Sequence, residues 1–452
     1  MANTYIKRTC DGGYTSTFTW SAWVKRSAPG NSGGLFCNKK NDSNSNSRVR
    51  FYFSSADRLA MEVKDSTGGD DSFFQTNKLF RDVNAWYNIV LAYDTTQSAE
   101  NDRIKLWINN EEVTSWEQFD RASSGFGTLW SSAMEHRIGT QNDNSNNQYY
   151  FNGSMSHIHF TYGTAYTPSA FGETDATTGE WKIKTSPSVS YGNNGYFILK
   201  DGNSLTDQSG NSNNWSTHNG NFTKTEDCPS NVFATWNVLD GNLGNSTLTY
   251  GNNKFNSEDG ANKCWARSTL GMTSGKYYFE MKVQTPSNNC SIGISDRPAP
   301  NLTDELGQGA YEYCYQSSNG LLFNNSTQTS SYGDSYTTND IVMCALDLDN
   351  NKLYFGKNGT WQNSGDPTSG STGTGAAYTV TAPSSTNGGA YFFCGADMTS
   401  SNNVRLLANF GNGIFADNDP VASAGTNASG IGIFEYNVPA GFTALSTKGL
   451  NE

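Results

Sequence analysis

The chain has 452 residues, with 46 Gly, 13% aromatic and only 16% charged residues, and a formal net charge of −12 at a pI near 4.9. Single cores stop growing at roughly 250–300 residues, so one domain is not expected, and the scattered Lys and Arg form no basic stripe, which argues against a nucleic-acid partner. No run approaches the ~20 apolar residues of a membrane span, and MANTYIKRTCDGGYTSTFTW lacks an apolar signal region, so neither membrane insertion nor classical export is expected and synthesis is placed in a cytoplasm.

The first predicted strand is FTWSAWVK (18–25), where Phe18, Trp20, Ala22 and Val24 alternate with Thr19, Ser21, Trp23 and Lys25. RVRFYF, LAMEV, YNIVLAY, IKLWIN and HRIGT follow, separated by turn-rich text. In IKLWIN, Ile104, Leu106 and Ile108 point one way, while the preceding Arg103 with Lys105 and Trp107 points the other. YFNGSMSHIHFTYGTAYTPSAFGE (150–173) closes this array, and so many short antiparallel strands with one apolar face imply two sheets packed face to face.

Residues 174–235, with GEWKIK, GYFILK and DQSGNSNNWSTHNGNFT, form a Gly/Asn/Ser-rich connector. A structureless loop of about sixty residues is unusual, so the connector is expected to cling to the first domain with at least one paired strand. A second domain is placed at 236–452, with strands at GKYYFEMKV, CSIGIS, LLFNN, DIVMCALDLD, KLYFGK, AYFFCG and VRLLANFG. Val342, Cys344, Leu346 and Leu348 form one face of its central strand and Ile341, Met343 and Ala345 the other, so that strand begins buried on both sides and turns polar at Asp347 and Asp349. Asn350-Asn351 then closes a hairpin, because Asn tolerates positive φ. No stretch of about ten residues keeps a helical period without Gly, Asn or Ser. The expected fold is all-β: two jelly-roll-like β-sandwich domains, 1–173 and 236–452, joined by the connector.

Eight cysteines are too sparse for a disulfide framework, no CxxC occurs, and Cys290, Cys344 and Cys394 sit in apolar strand text, so buried free thiols are expected. His157 and His159 share a strand face without a third ligand nearby, a structural pattern. Asp94, Asn101 and Asp102 in YDTTQSAEND read as a solvated Asn/Asp loop. No metal or cofactor is assigned.

The stretch 18–173 resembles a laminin-G or pentraxin-like, concanavalin A-type jelly roll, in FTWSAWVKR, AWYNIVLAYDTT, RIKLWINNEEV and FNGSMSHIHF. The resemblance to laminin-G-like folds allows a calcium ion, to which Asp94, Asn101 and Asp102 offer oxygens, but six to eight are usual and the solvated loop stays the preferred reading. Residues 275–361 resemble a SPRY domain, in GKYYFEMKV, CSIGISD and the hairpin GDSYTTNDIVMCALDLDNNKLYFGKNGTW. TPSAFGETDATTGEWKIK, SYGNNGYFILK, DQSGNSNNW and DCPSNVFATWNVLDG resemble a module of marine bacteriophage virion proteins, and LANFGNGIF with NVPAGFTALST resembles their C-terminal text apart from the insertion ADNDPVASAGTNASGIGIFEYN.

Concanavalin-type jelly rolls include glycosidases, whose retaining members need two carboxyl groups roughly 5–5.5 Å apart. An E-x-D-x-E strand would supply them, and none occurs. Asp347-x-Asp349 and Glu173-x-Asp175 with Glu180 read as turn carboxylates, and neither H-E-x-x-H, a P-loop nor a strand-linked G-x-G-x-x-G is present. No catalysis is expected. Sugar rings favour aromatic faces flanked by amides and carboxylates, which selects Trp107, Trp116, Trp130, Tyr149 and Tyr150. By the SPRY resemblance, whose partner surface is formed by end loops, Asp296, Tyr311, Tyr315 and Trp361 join them. The expected protein is a phage virion surface appendage on capsid or tail, a homo-oligomer that binds host glycans or envelope proteins. Its rivals are a structural decoration or head-fibre protein contacting other virion proteins, and a polysaccharide depolymerase.

Overall fold

Period-two alternation of apolar and polar side chains builds both halves of the chain. The computed structural model describes residues 4–11, 13–39, 48–64, 70–129, 132–143, 146–184, 186–200, 204–220, 222–244, 246–258, 263–285, 289–297, 304–329, 332–399, 403–416 and 419–451. Strands and short 3-10 turns are the regular elements among them. The backbone divides into two units, 1–224 and 225–452.

In the first unit Thr17–Arg26 lies between Trp86–Asp94 and Gly153–Tyr162 in a six-stranded sheet. Register sets Trp20 opposite Leu91 and Phe160, and these side chains join Ile89, Ile104, Leu106 and Ile108 in the core. An eight-stranded sheet supplies the other half, in the order Trp116–Asp120, Asp70–Leu79, Arg58–Lys64, Arg48–Phe53, Gly33–Lys39, Ser132–Ile138, Tyr5–Asp11 and Ser216–His218. Its Val49, Phe51, Phe53, Leu59, Met61 and Val63 face inward, each such burial contributing roughly 1.5–3 kcal/mol. Arg26 ties the sheets together at one end. It is buried, pairs with Asp57 at 3.0 Å, donates to the carbonyl of Phe80 at 2.6 Å and lies 4.5 Å over the Phe53 ring.

The outer face of the six-stranded sheet is covered as well. Thr19, Ser21, Trp23, His159 and Thr161 are buried there, because the end of the first array and the connector cross them: Phe171 meets the His159 ring at 5.0 Å and Tyr166 N donates to Thr19 Oγ1 at 2.8 Å, while from the connector Tyr191 Oη lies 3.0 Å from His159 Nδ1 and Trp181 Nε1 donates to Asn88 Oδ1 at 2.9 Å. The connector also contributes strands: Tyr196–Ile198 pairs with Gly153–Tyr162, and Ser216–His218 with Tyr5–Asp11. The units part at 224/225 and not at the 235/236 expected from composition. Residues 225–235 read as turn text, yet Phe233 bridges Ser446 and Ala234 N donates to Leu445 O at 2.9 Å, which places this stretch with the C-terminus.

In the second unit a seven-stranded sheet runs Trp236–Asn242, Cys264–Ser268, Phe392–Asp397, Cys290–Ser295, Glu312–Gln316, Leu322–Asn324 and Thr327–Gln328. Its partner sheet is centred on Lys276–Thr285, flanked by Arg405–Asn409 and Ile341–Asp347. Phe279, Met281, Val342, Cys344 and Leu346 fill the space between the sheets. On the opposite face Tyr278, Met343, Ala345 and Tyr354 are buried too, beneath Phe434, Val438 and Phe442. The cover comes in part from the inserted text 416–437, which is why a strand in a two-layer sandwich is apolar on both sides. Glu280 fastens it. This fully buried carboxylate accepts from Glu435 N at 2.8 Å, Tyr436 N and Tyr278 Oη at 2.9 Å, and Asn409 Nδ2 at 3.4 Å. Asp347 ends the strand and accepts from the turn residue Asn350, N and Nδ2, at 3.0 and 2.8 Å, as a turn carboxylate does, but it is fully buried and paired with Lys276 at 3.0 Å. Asn351 has φ of +56°, as the hairpin requires. Among the described residues none of the eight cysteines forms a disulfide.

Candidate functional site

The strand Trp116–Asp120 forms one edge of the eight-stranded sheet, pairing with Asp70–Leu79 through Phe119 opposite Phe74, with a register shift between Trp116 and Gln118. The irregularity brings Trp116 and Phe119 to the same, core-facing side, where their rings stack at 4.7 Å and 10° and Trp116 meets Phe74 at 5.1 Å. Two residues on, the Arg121 guanidinium lies 5.3 Å over the Phe119 ring and Nε donates to Asn101 Oδ1 at 2.5 Å. Trp, Phe and Arg thus form a stack at the open edge of the core.

Beside this stack runs a groove of about 420 Å³ lined by Glu100, Arg103, Phe119, Asp120, Arg121, Ala122 and Ser123. Its walls are fixed by side chains that bond to backbone. Arg103, buried at the start of its strand, donates to the carbonyls of Gln97, Ala122 and Ser98 at 3.0, 3.0 and 3.2 Å. Thr95 Oγ1 donates to Phe126 O at 2.7 Å, and Gly125 N to Thr95 O at 2.8 Å. Glu100, Asp120 and Arg121 are exposed at the rim, and Gln118 Nε2 holds Asp120 Oδ2 at 2.5 Å.

The neighbouring carboxylates do not converge on an ion. Asp94 accepts from Thr96 N, Thr96 Oγ1, Gln97 Nε2 and Thr17 Oγ1 at 3.1, 2.6, 2.6 and 3.2 Å. Burial works to raise its pKa, but these donors outweigh it and hold the carboxyl below its ordinary value. Asn101 is engaged by Arg121, and Asp102 pairs with Lys105 at 3.2 Å. Among the described residues no group of three or more His, Cys, Asp or Glu is arranged to hold a metal. Of the other carboxylates weighed from sequence, Asp175 and Asp349 accept from backbone and Glu173 pairs with Lys182 at 3.6 Å. Backbone N–H groups of Thr178 and Thr177, with Lys182, hold Asp175 well below the usual carboxylate range, and Asp349 Oδ1 accepts from Gly275 N at 2.9 Å. His159 is buried, stacked on Phe197 at 3.9 Å with Nδ1 3.0 Å from Tyr191 Oη, and burial pushes its pKa well below the ordinary histidine value.

None of the aromatic candidates lines the groove; Trp116 lies beside it, closing the core edge with one face against Phe119. Trp107 is half-buried on the outer side of the six-stranded sheet, opposite Val90 and Glu112. Trp130 lies outside the described residues. Tyr149, 47% exposed with φ of +57°, and Tyr150, 6.4 Å from the Tyr5 ring, lie toward the far side of the eight-stranded sheet. In the second unit, Tyr315 is fully buried, stacked on Phe355 at 5.5 Å with its hydroxyl on Asp334 O, so its place as a surface residue is corrected to the core. Asp296 is corrected likewise: at 3% exposure its Oδ2 accepts from Gly388 N at 3.1 Å. Tyr311 is half-buried against the core, and Trp361 half-buried 6.3 Å from the Tyr278 ring. Sequence reasoning missed Phe119, Asp120, Arg121 and Glu100. The legible signal was W-x-x-F-x-R on an edge strand, with aromatic and guanidinium two apart.

Residues 2–170 match the concanavalin A-like lectin/glucanases superfamily and residues 276–395 match the SPRY domain. Ran-binding protein 9 of Danio rerio is 31% identical over 86 residues, 19% of this chain and 14% of that protein; the Homo sapiens protein is 31% identical over the same length, 12% of its own. The chain therefore spans only a small fraction of the curated relatives it matches. Among solved structures, the SPRY domain of human HERC1 is 17% identical with a TM-score of 0.30, covering 38% of this chain and 96% of that one. A putative carbohydrate binding protein from Bacteroides ovatus is 17% identical with a TM-score of 0.33, covering 50% and 59%.

Proposed function

For a chain that carries a concanavalin A-like domain followed by a SPRY domain, we propose a non-catalytic attachment role on the surface of a bacteriophage particle, with the first unit binding host glycans or envelope proteins. The observation that carries the binding role is the edge groove. Its walls are locked by Arg103 and Thr95, and its rim presents Glu100, Asp120 and Arg121 to solvent. A glycosidase acid needs a carboxyl whose pKa is raised by burial, and both groove carboxylates are exposed, which favours binding over cleavage. The virion setting draws on the connector and C-terminal text, which resemble virion proteins. Many copies per particle generate avidity through effective concentration, so each site can be weak.

A second reading, in which the SPRY unit clasps another virion protein, draws on charge. Residues 1–224 hold 20 Lys and Arg against 22 Asp and Glu, whereas 225–452 hold 10 against 20, a surface suited to a basic partner. Retention of the purified chain on host cells and on immobilised capsid or tail subunits separates the two. Retention on cells supports attachment, and retention on subunits alone overturns it in favour of a structural role.

A further inference from the structure

We propose that the outer face of the eight-stranded sheet is a docking surface for the acidic second unit of another copy of this chain. This lies beyond the readings above, which concern host and virion partners.

Strand pairing builds the face from residues far apart in sequence. Arg48–Phe53 alternates, with Val49, Phe51 and Phe53 in the core and Arg48, Arg50 and Tyr52 on the outer side. Register then sets Arg50 opposite Glu62, Arg48 opposite Lys64, Cys37 between Arg50 and Arg137, and Arg137 opposite Lys7. Glu62 pairs with Arg48 at 3.0 Å, with Lys64 at 3.3 Å and with Arg50, while Glu135 pairs with Arg137 at 2.5 Å and with Lys7 at 3.0 Å. Burial works to raise both carboxyls, but the cations outweigh it and hold them below the ordinary value, so both stay ionised at neutral pH. Among the described side chains in these ion pairs, five cations thus meet two carboxylates. The first unit as a whole holds 20 Lys and Arg against 22 Asp and Glu, so the sheet concentrates positive charge that the sequence scatters.

Charge selects the occupant. Residues 225–452 hold 10 Lys and Arg against 20 Asp and Glu. Part of that excess is buried, as at Glu280 and Asp347, and part is displayed: Glu258, Asp334 and Asp349 are exposed and make no ion pair among the described residues. At physiological ionic strength charges more than about 8 Å apart are largely screened, so the facing surfaces decide and not the −12 of the whole chain. A nucleic acid fits less well, because Glu62 and Glu135 would face its phosphates, whereas a protein surface can answer both signs. The contact joins two different surfaces, so it is heterologous and propagates from copy to copy.

Sedimentation velocity of the full chain at low and at high salt tests this. A face variant carries Lys7→Glu and Lys64→Glu, the most open of the five cations at 32% and 20% exposure. A second-unit variant carries Glu258→Lys, Asp334→Lys and Asp349→Lys. Lys182→Glu, on the connector, controls for charge change alone, and circular dichroism verifies that each variant is folded. We expect the native chain to self-associate at low salt and to dissociate at high salt, with roughly tenfold or greater weakening in either variant and no change in Lys182→Glu. Mixing the two variants should restore association as a one-to-one complex, because one supplies an intact second unit and the other an intact face. A chain that stays monomeric at low salt, association that salt does not weaken, association that persists in either variant, or a mixture that does not recover it overturns the proposal. Binding of a duplex oligonucleotide that is lost in the face variant, with self-association unchanged, overturns it in favour of a nucleic-acid surface.

Discussion

Glu280 makes stability of the second unit depend on pH in a direction opposite to that of most salt-bridged carboxylates. Burial outweighs the donors around it and raises its pKa from 4.5 to about 7. Below about pH 4.5 the carboxyl is protonated in folded and unfolded chains alike. Between there and about 7 the unfolded chain ionises while the folded one keeps its proton, so stability falls as pH rises and the loss is complete above about 7. A shift of this size corresponds to about 3 kcal/mol, or a hundredfold or more in the opening equilibrium. The window is clean because His136, His157, His159 and His218 all lie in the first unit, and burial pushes the thiols of Cys264, Cys290, Cys314 and Cys344 upward, away from neutrality. Hydrogen exchange of the backbone at 409–447, corrected for intrinsic rates and followed from pH 5 to pH 8, reads the loss directly. Protection should drop with pH in the native sequence and lose that slope in Glu280→Gln. Equal slopes in the two proteins, or protection that rises with pH, would refute the assignment of Glu280 as the buried titrating anchor.

The first unit should respond most to its Arg26–Asp57 pair: Asp57→Ala leaves a buried guanidinium without its counter-ion and is expected to cost about 3–5 kcal/mol in denaturant unfolding. Tyr315→Ala should destabilise the second unit by about 3–5 kcal/mol in the same measurement while leaving retention on host cells unchanged, because the ring fills core volume. Calcium or a chelator should leave the thermal transition of the first unit in place, since Asp94 is satisfied by Thr96, Gln97 and Thr17. A calcium-dependent rise of several degrees would show ligands that the loop does not present.

Alternation made the central strands legible. Thr17–Arg26 and Ile104–Ile108 place their apolar residues inward as the sequence alone indicates. Tyr5–Asp11, Gly33–Lys39, Asp70–Leu79 and Trp116–Asp120 were not legible, because Gly33-Gly34, Asp70-Asp71 and the mixed YIKRTCD carry no clean period and their pairing is set by neighbours distant in sequence. Tyr315 was placed among end loops by the SPRY resemblance, which does not fix where loops end and strands begin in this chain: Glu312–Gln316 is a strand buried on both faces. The groove was illegible because it joins 97–103 to 119–126 through side-chain bonds to carbonyls, contacts that leave no residue pattern. Arg103, placed on a solvent face by alternation, is drawn inward by those carbonyls.

Incubation of the chain with host-derived surface polysaccharide, measuring retained protein and polymer chain length in one experiment, tests the account most directly. Retention with unaltered chain length is the predicted result. Shortening of the polymer, or absence of retention on it and on intact cells alike, would contradict it.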